Sequence, residues 1–250
     1  MRLKYKKGAY IFGTLMSMIV LFGCNNNKSV EQEVSMIVLP EVASPDVELA
    51  VGFVIVDGVY NSELVAPMDV LQHTIFHTDP GMRVFVVAPT NEIITTFEGL
   101  KIVPDYSFED APDIDVLVVP SAKHSMDSDL ENLELIEFVS IRGQKAKYVM
   151  SLCDGAFVLA KAGLTDGYES TTFPWDVPKY REMFPQLKVH EKVSFVHDRK
   201  LITSAGGAKS YDPALYLVEL LYGQKPATGI ASGLVIDWDL RNVDHVIVMQ

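Results

Sequence analysis

The sequence predicts an α/β fold in which helices cover both faces of a mainly parallel β-sheet. From Glu48 onward, short apolar runs alternate with amphipathic segments, which is the order typical of βα units. The apolar runs lack the polar alternation of a half-exposed strand, so both faces of the sheet are expected to be buried. A chain of 250 residues is long enough for one large domain of this class.

Four strands and four helices follow from this pattern. The predicted strands are Leu49–Val56, Arg83–Ala88, Val116–Val119 and Tyr148–Leu152. The predicted helices are Ser62–His77, Leu130–Gly143, Asp154–Ala162 and Lys209–Tyr222. We expect Asn61 or Ser62 to cap the first helix, and Gly163 and Gly223 to end two of the others.

Two small hairpins are expected as additions to this core. The first pairs Glu92–Phe97 with Lys101–Val103. The second pairs Val193–Val196 with Leu201–Ser204 and turns across the polar residues 197–200.

The first 47 residues are predicted to lie outside the folded domain. Residues 1–23 combine a basic start with an apolar run, and Leu21-Phe22-Gly23-Cys24 resembles a bacterial lipobox. Cleavage before Cys24 and acylation of that cysteine would give an exported lipoprotein, anchored in a membrane on the periplasmic or outer side. An uncleaved N-terminal membrane anchor is the alternative. Residues 24–47 are expected to tether the domain, residues 48–250, to the membrane.

Charge and residue spacing exclude several kinds of partner. Removal of the basic leader leaves 17 Lys and Arg against 33 Asp and Glu, a net charge of −16. Such an acidic surface is not expected to bind nucleic acid. The histidines show no ligand spacing with other His, Cys or Asp residues, so we predict no metal and no cofactor.

Cys153 is the remaining thiol if Cys24 carries the lipid. The segment from Ser151 to Ala156 follows an apolar strand and opens a helix, with small residues beside the cysteine, which indicates a nucleophile elbow. At a helix N-terminus the backbone amides and the helix dipole are expected to lower the pKa of the thiol. A buried packing cysteine is the alternative.

Other strand ends are expected to meet this elbow. In an open parallel sheet the reactive crevice lies beyond the carboxyl ends of the strands. The segments predicted to border it are Val59–Glu63, Pro120–His124, Leu152–Gly155 and Ser204–Lys209. The Gly206-Gly207 step would let the backbone pass close to Cys153.

Three segments resemble the ThiJ/PfpI (DJ-1/PfpI) superfamily. They are Asn61–Leu71 (NSELVAPMDVL), the Cys153 elbow and Thr203–Gly207 (TSAGG), and the resemblance spans about Val51 to Leu221. It implies a flavodoxin-like three-layer sandwich, related to class I glutamine amidotransferases, that commonly forms dimers. It also places Glu63 over the cysteine sulfur, where a buried carboxyl can share a proton with the thiol and act as a general acid or base. An exposed first-turn glutamate is the alternative for Glu63.

The chain departs from this superfamily at two positions. Phe173 stands where the members that work as Cys-His enzymes have a histidine, and a phenyl ring cannot accept a proton. Asp154 stands where members resembling isonitrile hydratase have a threonine. His124 is a candidate replacement base, although a solvated loop histidine is the alternative.

The remaining site residues are predicted from their loops. The amides of Ser121, Ala122 and Asp154 are candidates for an oxyanion hole. Phe173, Trp175 and Gly206 are expected to line a pocket, and core packing is the alternative for the aromatic residues.

Two functions remain open, together with a purely structural alternative. The first is an enzyme that uses Cys153 to hydrate or hydrolyse a small electrophile or to remove an aldehyde. The second is a small-molecule-binding or redox-sensing protein that keeps the thiol without turnover. The structural alternative is an interaction domain, and a homodimer is expected in every case.

Overall fold

The computed structural model describes residues 45–248. The predicted leader, the lipidation site Cys24 and most of the predicted tether therefore lie outside the described residues. None of the helices within residues 45–248 has the length and apolar composition needed to cross a bilayer.

An eight-stranded sheet forms the centre of the domain. With strands numbered in chain order, its spatial order is β12 (His245–Val248), β10 (Phe195–Asp198), β11 (Leu201–Ser204), β7 (Tyr148–Leu152), β6 (Val116–Val119), β1 (Leu49–Val54), β2 (Met82–Ala88) and β5 (Tyr106–Ser107). Neighbouring strands in this described sheet pair in parallel, except β10 with β11. Two-stranded sheets join β3 (Ile94–Thr95) to β4 (Lys101–Ile102) and β8 (Glu169–Ser170) to β9 (Lys188–Val189).

Helices cover both faces of the sheet. They are α1 (Asn61–Gln72), α2 (Leu133–Lys145), α3 (Gly155–Lys161), α4 (Val177–Met183), α5 (Tyr211–Tyr222) and α6 (Gln224–Gly233). Val51 and Phe53 of β1 belong to a core cluster with α1, α5 and α6. Ala50 and Val54 belong to a second cluster with α2, α3 and α4. Alternate residues of one strand thus pack against helices on opposite faces of the sheet. This arrangement confirms the predicted three-layer sandwich with a mainly parallel sheet.

The first predicted hairpin is confirmed with shorter strands, and the second was only partly right. The strands β10 and β11 do form an antiparallel pair, but they lie inside the main sheet, and the chain reverses across Arg199 and Lys200 alone. His197 and Asp198, which looked like turn residues, are buried in β10. The ring of His197 lies 2.6 Å from both the Tyr216 hydroxyl and the Arg199 carbonyl oxygen, so a polar residue is satisfied within the core.

The helix boundaries also differ from the prediction at their N-termini. Tyr60 is the N-cap of α1, and Asn61 is already helical, so neither Asn61 nor Ser62 caps it. Short 3-10 turns precede α2 and α5, which begin at Leu133 and Tyr211. Gly163 and Gly223 follow their helices with positive φ, as predicted. The elements α4, α6, β5, β8, β9 and β12 were not predicted.

The sheet brings four loops to one edge. The strands β1, β6, β7 and β11 are parallel neighbours, and their carboxyl ends lie side by side. Val59 and Ala122 form an isolated bridge, and the amide of Tyr60 donates to the carbonyl oxygen of Ser121 at 3.1 Å. The loops after β1 and β6 are therefore fixed to each other before the site residues begin.

Gly155 provides a test of how tightly the loop after β7 packs. A Cβ at this position would lie 2.1 Å from the carbonyl oxygen of Val119, a backbone atom of β6. We expect Gly155→Ala to lower the free energy of unfolding by about 2–4 kcal/mol, measured by urea denaturation.

Gly233→Ala is the matched control, since a Cβ at this helical position meets nothing within 4 Å. We expect this variant to match the wild type or to gain up to about 1 kcal/mol. Equal stability of the two variants would contradict the packing argument.

Candidate functional site

The cysteine lies on a strained turn between β7 and α3. Cys153 has φ of 53°, a left-handed conformation that is uncommon for residues other than glycine. Its amide donates to the carbonyl oxygen of Ser204 at 3.0 Å, which joins the ends of β7 and β11. A Cβ at Gly206 would lie 2.3 Å from the Cβ of Cys153, so the predicted close passage of this glycine is confirmed. The geometry matches the predicted nucleophile elbow.

The carboxyl group of Glu63 faces the cysteine from the first turn of α1. Glu63 is only 4% exposed, so it is not the solvated first-turn glutamate considered as an alternative. The hydroxyl and the amide of Ser121 both donate to Oε2, the amide at 3.3 Å, and the amide of Gly207 donates to Oε1 at 3.2 Å. The thiol of Cys153 lies close enough to this carboxyl to influence its pKa.

Burial disfavours the ionised form of Glu63. Desolvation raises the pKa of the carboxyl above its ordinary value, and the hydrogen bonds from Ser121 and Gly207, with the nearby thiol of Cys153, only partly offset this rise. A carboxyl with a raised pKa can hold a proton beside the sulfur and return it, which is what a general acid or base requires.

The thiol itself does not have the lowered pKa that its place at a helix N-terminus predicted. Cys153 is 7% exposed, and its burial raises the pKa of the thiol, with further increases from the negative charges of Glu63 and Asp154. The nearby Ser121 hydroxyl and Asp154 amide lower it by less. The helix α3 has only seven residues, and the pKa of the thiol is raised by burial first and by the two acidic neighbours after it.

The three candidate oxyanion-hole amides have different hydrogen-bond partners. The amide of Ser121 donates to Glu63, and the amide of Ala122 donates to the Ser125 hydroxyl at 2.8 Å. The amide of Asp154 is directed at the Cys153 sulfur. The oxyanion role of these three amides thus stays a prediction.

His124, Phe173 and Trp175 lie less centrally than their predicted roles require. The ring of His124 bonds the Asp127 carboxylate at 2.9 Å, and Asp127 is exposed. The groups that act on the thiol are Glu63, Asp154 and Ser121. Phe173 is half-buried, whereas Trp175 is 85% exposed and does not pack into a pocket wall. A base role for His124 remains untested.

Three residues of the site were missed by sequence reasoning. Tyr60 is close enough to the cysteine for the two groups to interact. The pKa of its hydroxyl is raised by burial and, to a smaller extent, by the charges of Cys153, Glu63 and Asp154. Thr172 is fully buried, and its hydroxyl lies 3.0 Å from Asp154 Oδ1. The negative charge of Asp176 helps to raise the pKa of Asp154. Thr172 and Asp176 belong to the segment in which only the aromatic residues had been considered.

Asp154 is the second perturbed carboxyl of the site. Burial and, to a smaller extent, the negative charge of Asp176 raise its pKa to about 7, although the hydrogen bond from Thr172 lowers it. Within residues 45–248 no group of three or more His, Cys, Asp or Glu side chains is arranged to hold a metal ion.

Comparison with known proteins identifies relatives of this chain. Residues 50–220 match the model of the DJ-1/PfpI family. Isonitrile hydratase of Pseudomonas putida is 32% identical over 176 residues, which cover 70% of this chain and 73% of the hydratase. The HTH-type transcriptional regulator GbdR of Pseudomonas aeruginosa is 26% identical over 59% of this chain, and the match covers only 40% of the regulator.

Solved structures share the fold. A ThiJ/PfpI family protein from Pseudomonas syringae superimposes with a TM-score of 0.65 at 25% identity, covering 86% of this chain and 84% of that protein. Drosophila melanogaster DJ-1beta superimposes with a TM-score of 0.66 at 22% identity, covering 77% of this chain and all of that protein. The flavodoxin-like architecture implied by the sequence resemblance is thereby confirmed.

The raised pKa of Cys153 predicts slow alkylation. At pH 7 we expect iodoacetamide to modify Cys153 at least about tenfold more slowly than an ordinary thiol, because each unit of pKa removes tenfold of the thiolate. The rate is followed on the Cys153 peptide by mass spectrometry.

The same peptide in urea-unfolded protein supplies the reference rate. In the folded protein the rate should keep rising above pH values at which the unfolded reference has levelled off. If the pH midpoint of the alkylation rate were lower in the folded protein than in the unfolded reference, the result would contradict the raised pKa and support an activated thiolate.

Proposed function

Because the chain belongs to the DJ-1/PfpI family, we propose that it is a cysteine-dependent enzyme that hydrates or hydrolyses a small, uncharged electrophile. The observation that carries this proposal is the buried Glu63 carboxyl, held by Ser121 and Gly207 with the thiol of Cys153 as its neighbour. A merely structural cysteine does not need an acidic partner in the same cleft.

The high pKa of the thiol favours a concerted reaction. An isonitrile carbon accepts a nucleophile and a proton at the same atom, so it suits a neutral thiol beside a protonated carboxyl. The sulfur bonds to that carbon, Glu63 gives its proton to the carbon, and the thiol proton passes to the carboxylate. Water then attacks the resulting thioimidate carbon, the thiol leaves with a proton, and an N-substituted formamide is released. Proton transfer by a placed carboxyl contributes about 10²–10⁴-fold to such reactions.

The acidic groups of the site favour an uncharged substrate. Glu63 and Asp154 place acidic groups near the sulfur, Asp176 acts on Asp154, and none of the described residues that act on the pKa of the thiol is basic. An anionic substrate would meet repulsion with no counter-charge, whereas a neutral electrophile would not. An isonitrile is therefore the first substrate class to test, although Asp154 replaces a threonine expected in isonitrile hydratases.

The second candidate is a small-molecule-binding protein that does not turn its ligand over. Phe173 removes the histidine of the Cys-His route, and GbdR shows that a related domain occurs in a transcriptional regulator. Redox sensing is the weaker form of this alternative, because oxidation proceeds from the thiolate and the pKa of Cys153 is raised.

We also propose that the protein is an exported lipoprotein that forms a homodimer. The support for export is the basic and apolar leader that ends at Cys24. Cellular labelling with a fatty acid that disappears in Cys24→Ser would support the anchor. Light scattering on the protein in detergent would test the dimer.

The enzyme proposal predicts turnover of a small aliphatic isonitrile to its formamide, followed by chromatography. Cys153→Ser should abolish it, since the hydroxyl is a far weaker nucleophile. Glu63→Gln should lower kcat by about 10²–10⁴-fold, because the amide cannot move the proton.

Asp113→Asn is the control, since this exposed aspartate pairs with Arg142 and not with the site. We expect wild-type kcat in this variant. Saturable binding of isonitriles and other neutral electrophiles without product would favour the binding protein instead.

A further inference from the structure

Tyr60 joins the candidate site to the hairpin formed by β3 and β4. Its amide donates to the carbonyl oxygen of Ser121 at 3.1 Å, and its carbonyl oxygen accepts from the amide of Glu63 at 3.3 Å. Ser121 in turn donates to the Glu63 carboxyl. The ring of Tyr60 lies against the ring of Phe97 in the hairpin turn, with the ring centroids 4.8 Å apart at an interplanar angle of 42°. A pair of aromatic rings thus borders the acidic side of the site.

Hydrogen bonds fix the hairpin turn to the segment that leads into α1. The amide of Phe97 donates to the carbonyl oxygen of Val59 at 2.9 Å. The carboxylate of Glu98 accepts from the amide of Asn61, the first residue of α1, at 3.1 Å. Because successive residues of the turn are bound to this segment, Phe97 is held on a fixed backbone beside Tyr60.

The two rings are fixed but not enclosed. Phe97 is 54% exposed and Tyr60 is half-buried, so core packing does not account for their placement. A single exposed apolar side chain is common on a protein surface. Two rings in contact on an ordered backbone form a surface that is already arranged for a ligand, which lowers the entropic cost of binding.

This aromatic surface is uncharged and faces the same opening as the thiol. Burial and, to a smaller extent, the negative charges of Cys153, Glu63, Asp154 and Glu98 raise the pKa of the Tyr60 phenol. A phenol with a raised pKa stays neutral in the neutral pH range. The interaction of Tyr60 with the thiol supports the placement that the backbone hydrogen bonds already give.

We propose that Tyr60 and Phe97 form an aromatic wall at the mouth of the site, and that this wall binds the substituent of the electrophile that reacts at Cys153. The substrate class is then an uncharged electrophile that carries a ring or another bulky apolar group. A ring packed on the wall favours such a substrate over its methyl analogue by about threefold to tenfold. The substrate class rests on the proposed function, whereas binding at the wall is measured with reagents that need no turnover.

The aromatic wall predicts selective labelling of Cys153 by maleimides. N-benzylmaleimide and N-methylmaleimide carry the same uncharged electrophile and differ only in their substituent. In the whole folded protein, the ratio of the benzyl rate to the methyl rate should exceed the ratio in urea-unfolded protein by about threefold to tenfold. Both rates are followed on the Cys153 peptide by mass spectrometry.

Variants of Phe97 test the ring itself. In Phe97→Ala the rate ratio should fall to that of the unfolded reference, whereas Phe97→Tyr keeps a ring and should keep the wild-type ratio. Val103→Ala is the matched control, because Val103 is 70% exposed at the open end of the same hairpin, beyond β4 and away from the turn. This variant should also keep the wild-type ratio.

Three outcomes would overturn the proposal. They are a wild-type ratio no higher than the unfolded reference, an unchanged ratio in Phe97→Ala, and an equal loss of the ratio in Phe97→Ala and Val103→Ala. If isonitriles are not turned over but the ratio depends on the ring of Phe97, the proposed reaction is rejected and the aromatic wall stands. If isonitriles are turned over and the ratio does not depend on that ring, the wall is rejected and the enzyme stands.

Discussion

The site depends on one buried carboxyl group that bonds three loops at once. Glu63 accepts hydrogen bonds from Ser121 after β6 and from Gly207 after β11, and it contacts the thiol of Cys153 after β7. These loops follow different strands, and Glu63 is the partner that all of them share. Its burial disfavours the charged form, and its donors compensate in part. The hydrogen bonds that hold the loops together therefore also affect the pKa of this carboxyl.

The predictions of secondary structure that depended on local sequence pattern were accurate. The strands β6 and β7 begin and end at the predicted residues, because each is a short apolar run between polar loops. The meeting of the strand ends followed from the topology of parallel sheets, and the elbow followed from small residues around Cys153. The hairpin formed by β10 and β11 was misjudged because His197 and Asp198 are polar residues whose partners lie far away in sequence.

The parts that could not be predicted depend on distant contacts. The sign of the pKa shift of Cys153 is decided by burial and by Glu63, which lies 90 residues earlier in the chain, and not by the helix that follows the cysteine. Asp176 has the sequence position of an ordinary helix cap, but in the structure its side chain makes no capping hydrogen bond and its charge helps to raise the pKa of Asp154. Neither result leaves a signal in spacing or composition.

The left-handed backbone at Cys153 limits how this position can diverge. A φ of 53° admits glycine, asparagine or aspartate at modest cost, whereas the β-branched valine, isoleucine and threonine are strongly disfavoured there. The tight packing of Gly155 and Gly206 constrains the backbone and does not require a sulfur atom at position 153. Descendants of such a chain can therefore lose the chemistry while retaining the architecture, so shared shape alone is weak evidence of shared catalysis.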